Sequence, residues 1–107
     1  MRRFASLRRR GDFARLRQRG RRLATPSLTI YEARPAAGDA QPLVGITVGK
    51  AVGGAVVRNR LRRRIGAIVN DVFVAGKPHV RLLIVAKPGA ADLSFADLRM
   101  QVQRALE

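Results

Sequence analysis

The chain contains no cysteine. That excludes a disulfide framework, a thiolate nucleophile and any cysteine-based metal site, and it suits a cytoplasmic protein. Acidic residues are scarce too: Asp12, Glu32, Asp39, Asp71, Asp92, Asp97 and Glu107 are scattered along the chain. Asp12 and Asp97 read as helix caps, so no carboxylate pair is visible for general acid–base work. The single histidine, His79, lies between Pro78 and Val80 with no acidic or histidine companion nearby and reads as a turn residue. Gly53-Gly54 is not followed by the Lys-Ser/Thr of a phosphate-binding loop. No apolar run approaches the ~18 residues that a membrane span needs. The opening Met1–Gly11 segment lacks the continuous apolar stretch of a signal peptide. Its Arg-rich, acid-poor character is shared with mitochondrial transit peptides, but the basic pattern continues past Asp12 into a helix. No catalytic and no metal-ligating residues are expected.

Positive charge is abundant. Against 7 acids stand 22 Lys and Arg, 19 of them Arg, for a formal net charge of +15. The partner such a balance implies is a polyanion. Arg offers a planar fork for phosphate and a surface for stacking on bases, although a GC-rich coding sequence also raises the Arg/Lys ratio. At 107 residues the chain is expected to form one domain, residues 1–107, burying about two-thirds of its unfolded surface.

Residues 1–10 read as a basic arm. Asp12 is placed to cap a short helix in which Phe13 and Leu16 recur at i and i+3, and Gly20 supplies its stop. From Ser27 to Ala33 the residues alternate, with Leu28 and Ile30 on one face and Thr29, Tyr31 and Ala33 on the other, as in a strand. Pro35–Pro42 has loop composition. Leu43–Gly49 alternates again, with Val44, Ile46 and Val48 opposite Gly45, Thr47 and Gly49, whose small side chains predict a shallow floor open to a ligand. A long helix is predicted from Ala55 to Phe73, a buried strand over Val80–Ala86, and a last helix opened by Ser94 and Asp97. The order is αββαβα, an α+β single domain with no internal repeat.

The long helix carries the strongest signal. Val57, Leu61, Ile65, Ile68, Val69 and Val72 fall within about 120° of a helical wheel, an apolar stripe for a core. Arg60 and Arg64 line one border, Arg58 and Arg62 the other, and Asn59 with Arg63 takes the outward pole. A charge run is usually a solvated face. This one has no acid to pair with, and its i, i+4 like charges oppose helix formation, so phosphate binding is the stronger reading.

Lys50, Val52, Gly53, Ala55, Val56, Arg58, Asn59, Arg60, Leu61, Arg62, Arg63 and Ile65 keep the fixed spacing of a known signature. In it, a short strand ends in Ser-Lys-Lys/Arg-Val/Ile-Gly-x-Ala-Val-x-Arg-Asn-Arg. The chain resembles the bacterial ribonuclease P protein component family. Gly11-Asp12-Phe13, Gly20 and the strand ending Ile30-Tyr31 extend the resemblance upstream, and it fades after about residue 90. Gly49 stands where the family usually has Ser, Ala51 replaces a basic residue, Arg17 replaces a common second aromatic, and Gly66 replaces a common Arg.

The resemblance implies one further short strand in the first half, giving αββ(β)αβα. It also implies a two-layer sandwich with a small mixed sheet, a left-handed crossover around the Arg-rich helix, and a cleft beside that helix. It implies the protein subunit of ribonuclease P, the ribonucleoprotein that removes the 5′ leader from precursor tRNA, with catalysis by the RNA subunit and its Mg2+ ions. Arg58, Asn59, Arg60, Arg62, Arg63 and Arg64 would dock on the catalytic RNA. Phe13, Arg17, Tyr31, Lys50 and Val52 would line a groove for the leader. From the residues alone Phe13 reads as core and Tyr31 is open to either role; the resemblance moves both toward the leader. The expected partners are ribonuclease P RNA and precursor tRNA, bound by a monomer in an equimolar complex, with no membrane and no DNA. The rival reading is a generic, ribosomal-type RNA-binding protein. A major-groove DNA reader is disfavoured because arginines with a single Asn give little base-reading variety.

Overall fold

β5 (Arg81–Ala86) runs through the middle of the sheet, and its sequence RLLIVA shows why: Leu82, Leu83 and Ile84 are fully buried. A strand paired on both edges and covered on both faces needs such a near-continuous apolar run. The computed structural model describes residues 3–74 and 80–106. Along these lie β1 (Ala5–Ser6), α1 (Arg10–Arg19), β2 (Arg21–Ala24), β3 (Leu28–Ala33), β4 (Leu43–Val48), α2 (Ala55–Val74), β5 and α3 (Phe95–Leu106). Short 3₁₀ turns at Lys50–Val52 and Pro88–Asp92 precede α2 and α3.

The sheet order is β1-β4-β5-β3-β2, with β1, β4 and β5 parallel and β5, β3 and β2 antiparallel. This is a mixed α+β fold with a five-stranded sheet and three helices among the described residues. Strand alternation sorts the core into two clusters. Leu28, Ile30, Val44, Val48, Leu82 and Ile84 meet Leu61, Ile65, Ile68 and Val69 of α2 and Leu98, Val102 and Leu106 of α3. On the opposite face Leu83 packs with Leu7 and Leu16, and with Phe13 and Tyr31 at the margin. The helix α1 therefore covers the face that α2 and α3 leave open.

The first quarter of the chain differs from expectation. Its order is βαβ rather than a lone helix after an arm. The segment read as a basic arm contains β1, and Phe4 and Leu7 are buried. The Ala5 N–H donates to the Pro42 carbonyl and the Leu7 N–H to that of Val44, both at 2.9 Å. Two residues of ladder leave no periodicity to detect. β2 is the further short strand implied by the resemblance.

Asp12 does not cap α1. The helix begins at Arg10, the N-cap Arg9 makes no side-chain bond, and Asp12 sits in the first turn. Gly20 does stop α1, but at φ −68° in extended backbone, so a left-handed conformation is not its role. Its N–H donates to the Leu16 carbonyl, and a Cβ there would lie 2.5 Å from that oxygen. Close approach is what demands glycine. Ser94 caps α3 as expected, its Oγ accepting from the Asp97 N–H at 3.1 Å. His79 and Pro78 lie outside the described residues.

The acid released from capping serves elsewhere. Arg81 donates through Nε and Nη2 to the two oxygens of Asp39 at 2.9 and 3.1 Å, and through Nη1 to Asp12 at 3.1 Å. One guanidinium thus ties the loop before β4 and the start of α1 to the central strand. The hydrogen bonds that Arg81 donates to Asp39 raise its pKa above the ordinary value despite desolvation. A raised cationic pKa means that the stabilisation is present below the unfolded arginine value and is lost only as pH climbs through the higher folded one. Asp39→Ala should therefore lower stability by about 1–3 kcal/mol in urea denaturation, and by the same amount at pH 7 and at pH 10. An unchanged midpoint would mean that Asp12 alone satisfies Arg81.

Candidate nucleic-acid interface

Burial of Leu61, Ile65, Ile68 and Val69 fixes how α2 is rotated, and its cations follow. Arg64 reaches the turn before α3, donating through Nη1 to the Leu93 carbonyl at 3.4 Å. On the other border Arg62 donates to Asn59 Oδ1 at 2.9 Å and, over a long 3.4 Å, to the Val48 carbonyl at the end of β4. Asn59, Arg60 and Arg63 are exposed between them. The two borders are those of the helical wheel. Val57 departs from it: this first apolar position is 41% exposed and leans back toward Gly53 rather than into the core. Asp92 shares a small recess with Arg60 and Arg64, and the first turn of α2 holds no acid. Arg58 Nε is buried without a hydrogen-bond partner among the described residues. Such an orphaned donor is a cost of about 1–3 kcal/mol unless a ligand accepts from it.

β1 pairs only with Leu43 and Val44, so the rest of β4 forms the border of the sheet on that side. A cleft of about 660 Å3 opens there. Phe13 and Ser6 line it from the α1 side, Gly45 and Ile46 from β4, and Arg62, Arg63, Gly66 and Asn70 from α2. Gly45 was expected to be open floor. Instead the Phe13 ring lies over it, so close that a Cβ would stand 2.8 Å from Phe13 Cε1. Glycine here lets an aromatic ring approach the backbone at the sheet margin.

The structure brings Phe13 together with Arg62 and Arg63, which the sequence had assigned to separate groups. The other residues expected at the groove lie outside this cleft. In register across the sheet, Gly45, Leu83, Tyr31 and Arg22 form one row, which puts Tyr31 two strands away, half-buried against the minor core. Arg17 is exposed on α1. Lys50 is exposed in the turn before α2, while Val52 of the same turn packs against the main core. Asn70 and Gly66 were missed as cleft residues. Their only sequence signal is a small and a polar residue four apart on a helix whose other face is apolar. Asn70 Oδ1 also accepts the Arg3 N–H, binding the N-terminal segment to α2.

A mixed sheet with a guanidinium-bearing helix on one face and an aromatic-edged cleft at its margin makes a small α+β domain whose exposed cations suit a polyanion. The family model described as ribonuclease P matches residues 1–107. The ribonuclease P protein component of Acidothermus cellulolyticus is 40% identical over 100 residues, covering 94% of this chain and 83% of that protein. That of Streptomyces bikiniensis is 40% identical over 108 residues, covering 94% and 88%. In three dimensions the fold resembles the Staphylococcus aureus RNase P protein at TM-score 0.83 and 22% identity, covering 94% of this chain and 91% of that one. The Thermotoga maritima RNase P protein superposes at TM-score 0.80 and 19% identity, covering 92% of each chain. The chain belongs to the ribonuclease P protein family. It is thereby the protein subunit of a tRNA-processing endoribonuclease whose catalysis is RNA-based. Among the described residues no group of three or more His, Cys, Asp or Glu could hold a metal ion, and no helix is long and apolar enough to cross a membrane.

Gly66 lies within α2 where the helix lines the cleft. A Cβ there would meet only Ile46 Cδ1 at 3.9 Å, an ordinary contact. Gly66→Ala should then stabilise the protein by about 0.5–1 kcal/mol through reduced backbone entropy in the unfolded chain, read as a raised denaturation midpoint. A lowered midpoint would show that the cleft requires the bare backbone.

Proposed function

We propose that the chain docks on ribonuclease P RNA through Arg58, Asn59, Arg60, Arg62, Arg63 and Arg64 and guides the 5′ leader of precursor tRNA into the cleft beside Phe13. The observation that carries this reading is the meeting of Phe13 with Arg62 and Arg63 across the open margin of β4. A ring with adjacent guanidinium groups is the combination that holds a single strand, stacking a base while cations follow the backbone. Arg17, Tyr31, Lys50 and Val52 are proposed as the outer leader contacts; Arg17 and Lys50 are exposed cations suited to leader phosphates, whereas Tyr31 and Val52 must also serve their cores. The Mg2+ ions of the reaction are assigned to the RNA, and the complex is taken as equimolar and cytoplasmic.

Cleavage of precursor tRNA by a bacterial ribonuclease P RNA at low Mg2+, with and without the protein, tests the reading as a whole. The protein should restore cleavage, and no effect would refute it. Arg60→Ala should weaken binding to the catalytic RNA by about 1–3 kcal/mol and reduce the salt slope by roughly one phosphate. Arg34→Ala, in the loop after β3, is the control, and equal losses would show that bulk charge alone makes the site.

Within the assembled complex, Phe13→Ala should cost about 1–3 kcal/mol in binding precursor tRNA and leave mature tRNA unaffected. Tyr31→Ala separates two roles: leader-specific loss supports stacking, whereas a lower melting temperature with uniform losses returns Tyr31 to the minor core.

A further inference from the structure

At the opposite end of the sheet from the cleft, β2 is the border strand, and a second groove of about 700 Å3 runs between it and α3. Leu23, Leu93, Met100 and Ala105 give it an apolar floor. Met100 is 49% exposed and leaves part of that floor open to solvent. Arg21 and Arg104 stand around it, against Asp97 on the lining, whereas Arg22 lends the wall its main chain, its side chain falling on the Tyr31 face of the sheet.

The groove's wall also offers main-chain groups. The Thr25 N–H donates to the Leu28 carbonyl at 2.8 Å, so those two residues form a hydrogen-bonded pair of the β2–β3 ladder. Alternation along an antiparallel ladder then makes Ala24–Thr29 and Arg22–Tyr31 the non-hydrogen-bonded pairs. The N–H and C=O of Arg22 and Ala24 therefore point away from β3, out from the border of the sheet. The adjoining turn is rigidly held: Gln101 Oε1 accepts from Thr25 Oγ1 at 2.7 Å and from the Ser27 N–H at 3.1 Å.

From these features we infer that the β2–α3 groove docks an extended acidic segment of a protein partner, which adds to β2 as a further strand. Outward main-chain donors and acceptors fit strand addition, and the apolar floor takes alternate side chains. The arginine rim selects carboxylates. A second copy of the chain is disfavoured, because Arg21 and Arg22 would meet their own like charges; arginines on a border strand oppose self-pairing. Single-stranded RNA is disfavoured because no aromatic side chain lines this groove among the described residues, leaving bases nothing to stack on.

The probe is an acetylated and amidated peptide, Glu-Val-Asp-Ile-Glu-Val, titrated into the isotope-labelled full chain and followed by amide NMR. A heptauridylate and the same peptide with Lys for each acid serve as comparisons. Saturable shifts confined to β2 and the Met100–Ala105 stretch of α3 are expected with the acidic peptide only. Ala24→Pro removes only an outward-facing N–H, a position where a border strand tolerates proline. It should weaken the peptide by up to about tenfold, the loss of one main-chain hydrogen bond, while amide dispersion and heptauridylate binding stay intact. Arg104→Glu should weaken it independently of the backbone. Peptide shifts that spread over α2, undiminished binding in Ala24→Pro, or no saturable binding would overturn the inference. Heptauridylate binding at β2 and α3 would reassign the groove to RNA.

Discussion

Withdrawal of Leu61, Ile65, Ile68 and Val69 from water sets the direction of every cation on α2. Fully burying each such side chain is worth about 1.5–3 kcal/mol, while each i, i+4 pair of like charges costs only about 0.2–0.5 kcal/mol. Burial wins by a wide margin, so the helix forms with its arginines forced together on the faces the core does not use. Arg62 and Arg64 partly relieve the crowding by leaning outward onto the Val48 and Leu93 carbonyls.

The few acids are placed consistently with that arrangement. Asp12 and Asp39 are consumed by Arg81, and Asp71 pairs with Arg99 of α3 at 2.8 Å. Those pairs hold the loop before β4, α1 and α3 to the rest of the fold, away from the first turns of α2. The Asp12 and Asp39 pairs are half-buried or better, whereas Asp71–Arg99 is an exposed surface pair that contributes little. Arg60 and Arg63 of α2 stay exposed, with Asp92 sharing a recess with Arg60 and Arg64.

The parts legible in the sequence are those with strong periodicity. The stripe of α2, the alternation in β3 and β4 and the apolar run of β5 each encode their environment over six or more residues. The missed parts depend on partners far along the chain. β1 exists because Pro42 and Val44 offer carbonyls to Ala5 and Leu7, and nothing in the arginine-rich flanks announces it. Asp12 looks like a cap until Arg81, 69 residues away, claims it. Gly45 was readable as a small residue, but not as the seat of the Phe13 ring. The signature residues of α2 could be located by spacing, whereas their grouping with Phe13 is a product of sheet order.

That grouping poses a geometric puzzle, because α1 and α2 lie on opposite faces of the sheet and yet line one cleft. The brevity of β1 resolves it. Had β1 continued along β4, another strand would separate the Phe13 ring from Arg62 and Arg63. Because its pairing stops at Val44, the two faces meet around the bare margin of Gly45 and Ile46. Gly66 keeps the α2 wall low at that point, and Asn70 anchors the segment that leads into β1. A two-residue strand, too short to be read from the sequence, is thus what lets an aromatic from one face and guanidinium groups from the other line a single cleft.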